Sequence, residues 1–544
     1  MSEDGLTVTG KIAGAMEGRG KLDNRDLAVV VVGVLLAAGV RLVLSGRIFS
    51  PDEMNYLRDA ALWWTGRFDL KNALFLHDTR PLMFVPVAWS FAGLGVSEAT
   101  ALLWPFLASL AVVVLVYLTA RRLFGREAAA YSILCAVFFP LLVREATQLL
   151  PGVVMNLLIA LCALCFVISE QTEKRRWMWL ASSGMAYAAI QAAGELGVVL
   201  VCFFLAAVIS WRRYSLWSYW PAVAGFAAVV GLSAVYFWVE TGDPLFKIGL
   251  SKTVMAQVKA VAPHQPLFYT KLIVRPLSGN GGIFYLAGVG CVAGLLAKRR
   301  EALFVSLWIA LTWALLEFGS VSLTEYRQLS KEVRYFSVVS VPFAILAGYG
   351  VARIRDIVGR RRPGDARALS TAAVVAVYVL VAIVSVWTLQ AQNERLAEQR
   401  ANLQTLRDDV RHYQGKPIYV THWFWNTAVG YFMRFENEYL PSGYDPYHAV
   451  HLESADSTSM NRYVQTLRPG APMAPGLLLH DERLFQVSQG EREAWSVGVG
   501  EIPGVLTHIP PEWRLVKRLA FDGKYLVALY EIPEGAIWPA AGQR

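Results

Sequence analysis

Apolar runs of roughly 16–23 residues recur along the first 390 positions, each closed by a short polar or basic cluster. That pattern leaves one architecture, helices crossing a bilayer again and again. Composition agrees: 55% of residues are hydrophobic and 17% charged, where a soluble chain is nearer a quarter charged. The net charge of +9 would suggest nucleic acid in a soluble protein. Here the basic residues sit largely between spans and read as a topology signal, so no nucleic-acid partner is expected. All five cysteines (Cys135, Cys162, Cys165, Cys202, Cys291) lie in apolar runs. Cys162 and Cys165 form C-x-x-C, but without a nearby histidine they read as packing rather than metal or redox chemistry. Residues 1–26 read as a disordered basic tail, too long and charged for a cleaved signal peptide, so the first span is retained. The chain has no Asn-x-Ser/Thr sequon, which leans towards a prokaryote.

Spans are expected near 27–45, 99–119, 128–143, 153–169, 177–193, 197–211, 216–239, 283–297, 302–318, 334–352 and 369–389, about eleven in all. The apolar segment 81–95 is short and carries two prolines. If it crossed, the cluster Arg121–Arg126 and every later cluster (Lys174–Arg176, Arg212 and Arg213, Lys298–Arg300, Arg353–Arg367) would lie outside. The positive-inside rule therefore makes 81–95 a juxtamembrane helix. The exterior then holds 46–98, the turn from Arg144 to Pro151, the loops 240–282 and 319–333, and the tail from 390. The tail opens on a charge-rich amphipathic helix, Glu394 to His412. Short apolar runs follow at Pro417–Val420, Gly476–Leu479, Val516–Ala520 and Tyr525–Tyr530. Strands among helices predict a small exterior α/β domain over 390–544, behind a membrane domain over 27–389.

Four exterior clusters carry candidate chemistry. Asp52 and Glu53 follow the first span directly, where carboxylates are costly unless they face a wet cavity or a site. The stretch Ser50-Pro51-Asp52-Glu53 also fits a capping box with Pro at the first helical position, and Asp52 also answers the helix dipole. Arg144 and Glu145 share a membrane border on the same side. His264 and Tyr269 lie in the long loop, where a lone histidine is usually solvated surface. Arg334 and Tyr335 open a late span from outside. An Arg there can simply snorkel, but a guanidinium fork beside a phenol is also what a phosphate needs.

The order of these elements resembles a known family. Asp52-Glu53 stands in the first exterior loop, then Arg80-Pro81-Leu82 with an aromatic soon after. Next come Phe91-Ala-Gly-Leu-Gly95-Val-Ser-Glu98, Ala120-Arg-Arg-Leu-Phe-Gly125-Arg126, and Arg334-Tyr335 opening a late span. This is similar to the GT-C fold glycosyltransferases of family 39, which include protein O-mannosyltransferases and the aminoarabinose transferase acting on lipid A. The likeness runs from about 25 to 390. It implies an integral-membrane enzyme that takes a sugar from a polyprenyl- or dolichyl-phosphate donor and transfers it, with inversion, to a protein, lipid or glycan acceptor on the outer face. By motif position Asp52 is the implied catalytic carboxylate, with Glu53 its companion. Arg80, Arg334 and Tyr335 are implied at the donor phosphate, with Arg58 in support. Relatives usually carry an acidic residue near the end of the second exterior turn, where this chain has Pro151-Gly152; Glu145 or Gln148 stands nearest to compensate. A divalent cation is accordingly less favoured, since hard cations want several oxygen ligands. Two readings compete: a transporter or flippase for a polyprenyl-linked lipid, and an inactive GT-C-like membrane scaffold. The plasma (inner) membrane is the expected location. Transporters tend to show repeated halves and broken helices near the midplane, and the sequence shows neither.

Overall fold

The computed structural model describes residues 22–44, 51–73, 76–194, 199–211, 214–257, 267–274, 281–320 and 333–360, with 329 and 331 between them, most of 372–394, and the segments 418–420, 449–452, 465–467, 472–481, 510–521 and 525–537 of the remainder. Helix α1 (Asn24–Val43) starts on a capping box in which the Asp23 carboxylate accepts from the Arg25 and Asp26 backbone N–H groups. Asp26 is fully buried. Its carboxylate accepts from the Tyr117 hydroxyl at 2.6 Å, from Arg126 Nε at 3.0 Å and from Arg121 Nε at 3.2 Å. Two arginines of a cluster that reads in sequence as a topology signal thus also clamp the first helix to its neighbours.

After α2 (Pro51–Trp64) come two 3-10 turns, Leu70–Asn72 and Leu76–Thr79, and then α3 (Pro81–Leu94). Helix α3 has 14 residues, about 21 Å of rise, too short for a hydrocarbon core of about 30 Å. Its length fits the juxtamembrane role expected for 81–95. Helix α4 (Glu98–Phe124) is capped by Ser97 and ends at Gly125, whose φ of 94° suits glycine. Helix α5 (Arg126–Phe138) stops at Pro140, which lacks the N–H that would continue it. The chain bends by 58° into α6 (Pro140–Ala146). Then follow α7 (Pro151–Gln171), α8 (Arg176–Ala189), α9 (Val199–Ser210), α10 (Trp220–Thr241), α11 (Phe246–Gln257), α12 (Phe268–Val274), α13 (Gly281–Leu296) and α14 (Arg300–Phe318). A 3-10 turn, Val333–Val339, leads into α15 (Ser340–Arg360), and α16 covers Val374–Ala391.

Seven helices among the described residues are long and apolar enough to cross a membrane, or eight if α5 and α6 are one bent span. The expected count of about eleven also takes in 177–193, 197–211 and 283–297. Among the described residues the helices there have 14, 12 and 16 residues, and the second and third begin where the described residues begin. Backbone contact at glycines packs these helices together. A Cβ on Gly184 of α8 would lie 1.8 Å from the Ala222 carbonyl oxygen of α10, and one on Gly225 of α10 2.2 Å from that of Ala181. The pair α13–α15 repeats the device, Gly290 against Leu346 O and Gly350 against Leu286 O, at 2.1 and 2.3 Å. Small residues that let backbones touch are how helices associate where no hydrophobic effect separates them from lipid. The span that opens at Val333 is the hub, 94% buried, whereas Leu216–Thr241 is 17% buried and lies at the periphery.

The C-terminal segments form a six-stranded sheet in the order β3-β2-β1-β4-β6-β5, with β1 Ile418–Val420, β2 Ala449–Leu452, β3 Gln465–Leu467, β4 Gly476–Asp481, β5 Arg514–Phe521 and β6 Tyr525–Ile532. The first three strands and β4 pair in parallel, while β4–β6 and β5–β6 are antiparallel. The two faces alternate as period-two side chains require. Leu477, Leu479 and Leu529 join the main apolar cluster, whereas Leu478, Ala528 and Tyr530 pack with Tyr419 and Trp513. Each of the four apolar runs singled out in the tail contributes a strand. The expected helix from Glu394 to His412 lies almost wholly outside the described residues.

Candidate active site

Helix α2 presents Asp52, Tyr56 and Asp59 at spacings of four and three, hence on one face. That face meets the turn 76–80. Asp52 Oδ1 lies 3.2 Å from His77 Nε2. The Tyr56 hydroxyl accepts from Arg80 Nη1, and its ring meets the His77 ring edge-on with centroids 5.0 Å apart. Arg58 Nη2 donates to both Asp59 Oδ1 and Asp78 Oδ1 at 2.7 Å. Arg58 therefore ties α2 to the turn that carries His77.

The second partner of Asp52 comes from 282 positions away in sequence: Arg334 Nη1 donates to Asp52 Oδ2. Arg334 sits on the 3-10 turn that opens the hub helix, with its guanidinium carbon 5.3 Å from the centroid of the Tyr335 ring. Burial raises the Asp52 carboxyl, but the hydrogen bond and charge of His77 together with the charge of Arg334 outweigh it and hold the carboxyl well below the usual carboxylate range. One Asp52 oxygen faces the His77 imidazole and the other the Arg334 guanidinium.

Glu53 has a different occupation. It is 1% exposed, and its Oε1 accepts from the Leu149 backbone N–H at 3.0 Å. The box with Ser50 lies outside the described residues; what is seen is a staple from α2 to the turn between α6 and α7. Arg144 Nε donates to Gln148 Oε1 across that turn at 3.4 Å. Glu145 is buried. Its Oε2 lies 1.8 Å from where a Cβ on Gly152 would be, so a carboxyl does fill the space in front of the glycine.

Tyr269 is fully buried and stacks on Phe336, with centroids 5.1 Å apart. It supports the Arg334 turn from within and does not line an open site. Lys331 reinforces the same region, and sequence reasoning missed it. Its ammonium donates to the Leu316 and Glu317 carbonyls at the end of α14 and to Glu317 Oε1, and lies 5.0 Å from the Tyr269 ring centroid. His264 falls outside the described residues. His77 was also missed; the only signal for it was a histidine inside the polar run His77-Asp78-Thr79-Arg80, ahead of Pro81. Among the described residues no group of three or more His, Cys, Asp or Glu side chains could hold a metal ion. An apolar groove of about 500 Å³ runs between α3 and α4, lined by Leu82, Pro86, Trp89, Leu103, Trp104 and Leu107 among others.

A family profile described as dolichyl-phosphate-mannose-protein mannosyltransferase matches residues 79–238. The solved structure of ArnT from Cupriavidus metallidurans bound to undecaprenyl phosphate is 16% identical. It covers 92% of this chain and 97% of its own, with a TM-score of 0.62. The chain has the GT-C fold. The apo state of the same ArnT aligns over the same shares of both chains, at 16% identity and a TM-score of 0.59. An Archaeoglobus fulgidus oligosaccharyltransferase, at 12% identity, covers 75% of this GT-C chain and 63% of its own with a TM-score of 0.49, too remote to argue from. None of the curated proteins matches significantly. The GT-C architecture and its apolar helices make this a multi-pass membrane protein.

Proposed function

We propose that this GT-C protein transfers a sugar from a polyprenyl-phosphate donor to an acceptor hydroxyl on the extracytoplasmic face of the plasma membrane. The observation that carries the reading is the Asp52–Arg334 contact: a carboxylate and a guanidinium fork meet where a first loop and a late span converge. The mannosyltransferase profile and the ArnT structure that holds undecaprenyl phosphate support the donor class.

The chemistry follows from the charges. Paired with the Arg334 guanidinium, Asp52 is a poor base. A donor phosphate competes for Arg334, to which it can offer two oxygens at once. As Arg334 turns to the phosphate, Asp52 Oδ2 is released to take the proton of the acceptor hydroxyl as general base. The acceptor oxygen attacks the anomeric carbon from the side opposite the phosphate, and the bond to the phosphate oxygen breaks with inversion. Arg334 and Arg80 stabilise the departing charge. The apolar groove between α3 and α4 is where part of the isoprenoid chain would lie. In the same reading residues 27–389 are the catalytic membrane domain, 390–544 an exterior α/β domain and 1–26 a cytosolic tail. The test is mass spectrometry of lipid-linked sugars in a deletion strain, where unused polyprenyl-phosphate sugar should accumulate. An unchanged lipid-linked pool would remove the reading.

A further inference from the structure

The scheme above does not use Glu145. This side chain is 1% exposed, and neither carboxyl oxygen has a hydrogen-bond partner among the described residues. It is held at a defined point. The Cβ position of Gly152 lies 1.8 Å from Glu145 Oε2 and 3.0 Å from Ser337 Oγ, so carboxyl, glycine and hydroxyl share one spot. Ser337 is buried, and its hydroxyl also lacks a partner among the described residues. Ser337 follows Arg334 by three positions on a 3-10 turn, a geometry in which residues three apart eclipse. Glu145 therefore packs against the turn that carries Arg334.

We propose that Glu145 is a protonation-controlled positioning residue for Arg334: neutral, it leaves the guanidinium to the donor phosphate; ionised, it claims the guanidinium for itself. The inference rests on the donor reading above. An unpaired buried carboxyl gives up its charge because desolvation disfavours the anion. Burial accordingly pushes Glu145 up to about 7, with Arg144 and Arg334 opposing and Glu53 reinforcing. Those three are the charges that act on it from its own helix, the Arg334 turn and α2, while α1 brings the buried Arg41 against the same bundle. Near neutral pH a change of a single proton then alters what Arg334 faces.

The experiment measures binding of a short-chain polyprenyl phosphodiester, whose single charge stays constant across the range, to the purified full-length protein between about pH 6 and 8.5. The parent should lose about tenfold or more in affinity across that range, as the competent neutral fraction falls. Glu145→Gln keeps the neutral shape, and its affinity should stay within about threefold of its own pH 6 value. Glu145→Leu, also uncharged, should behave the same way. His77, which faces Asp52, is common to all three proteins, so the difference between them isolates Glu145. Equal pH slopes in parent and variants overturn this proposal alone. A parent that binds no polyprenyl phosphodiester at any pH overturns the donor reading and this proposal with it.

Discussion

Asp52 and Glu53 are adjacent in sequence and differ in everything that surrounds them. Asp52 is partly exposed and meets the His77 imidazole and the Arg334 guanidinium; Glu53 is buried and accepts from the Leu149 backbone N–H. Glu53→Gln keeps an acceptor for Leu149 and should retain most of its turnover. Glu53→Ala leaves a buried N–H unpaired and should cost about 1–3 kcal/mol of stability, read as a lowered unfolding midpoint. The depressed Asp52 carboxyl contributes stability at pH values above its unfolded value of about 3.9, and that contribution is lost as pH falls below it. Acid unfolding of Asp52→Asn should therefore be less steep than that of the parent, with no difference in slope near neutrality. Gly152→Ala tests the packing independently: its Cβ collides with Glu145, so it should destabilise the parent by about 1–3 kcal/mol yet be tolerated in Glu145→Ala. Additive effects in that cycle would contradict the contact. Asp52 and Arg334 were legible as candidates because both stand at span borders, where charges are costly. Their pairing was not legible, since only the folded bundle brings them together. His77 was illegible for a plainer reason: one histidine in a polar loop has no pattern to betray it.

At the scale of elements, hydropathy located the apolar segments well. It did not carry backbone detail such as the 3-10 turn Ile190–Ala192 that closes the helix near 183. Proline read more reliably. Pro140 divides α5 from α6, and that break puts Arg144 and Glu145 beside the Arg334 turn. The sheet was half legible: runs with several aliphatic residues became β1, β4, β5 and β6, while the polar Gln465–Leu467 and Ala449–Leu452 gave no alternation to read. Helix α3 is fastened to α4 by Trp104 Nε1, which donates to the Leu82 carbonyl at 2.9 Å. Its side of the membrane is testable. Cysteines at Ser90 and Ser442 should both react with an impermeant thiol reagent applied from outside. Four of the five native cysteines are buried and the fifth, Cys291, is half-buried, so the parent supplies the low background. Labelling of position 90 only from the cytosol would invert the topology.

Over the whole molecule, the GT-C helices bring two segments distant in sequence to one carboxylate, and among the described spans the hub helix that opens near Arg334 is the most buried. In the proposed scheme its buried position holds the guanidinium within reach of two alternative anions, Asp52 and the donor phosphate. Arg334→Lys keeps the charge and loses the fork, so the apparent donor KM should rise by about tenfold or more. Unchanged donor affinity would return Arg334 to an interfacial anchor. The central claim is that Asp52 is the base for transfer from a polyprenyl-phosphate sugar. The most direct measurement is release of free polyprenyl phosphate by purified protein in proteoliposomes, supplied with polyprenyl-phosphate sugars and cell-envelope acceptors. The parent should release it, and Asp52→Asn, shown to be folded by a cooperative unfolding transition even where that transition comes earlier than the parent's, should do so slower by a factor on the order of 10²–10⁴. Turnover of Asp52→Asn at the parent's rate would contradict the account.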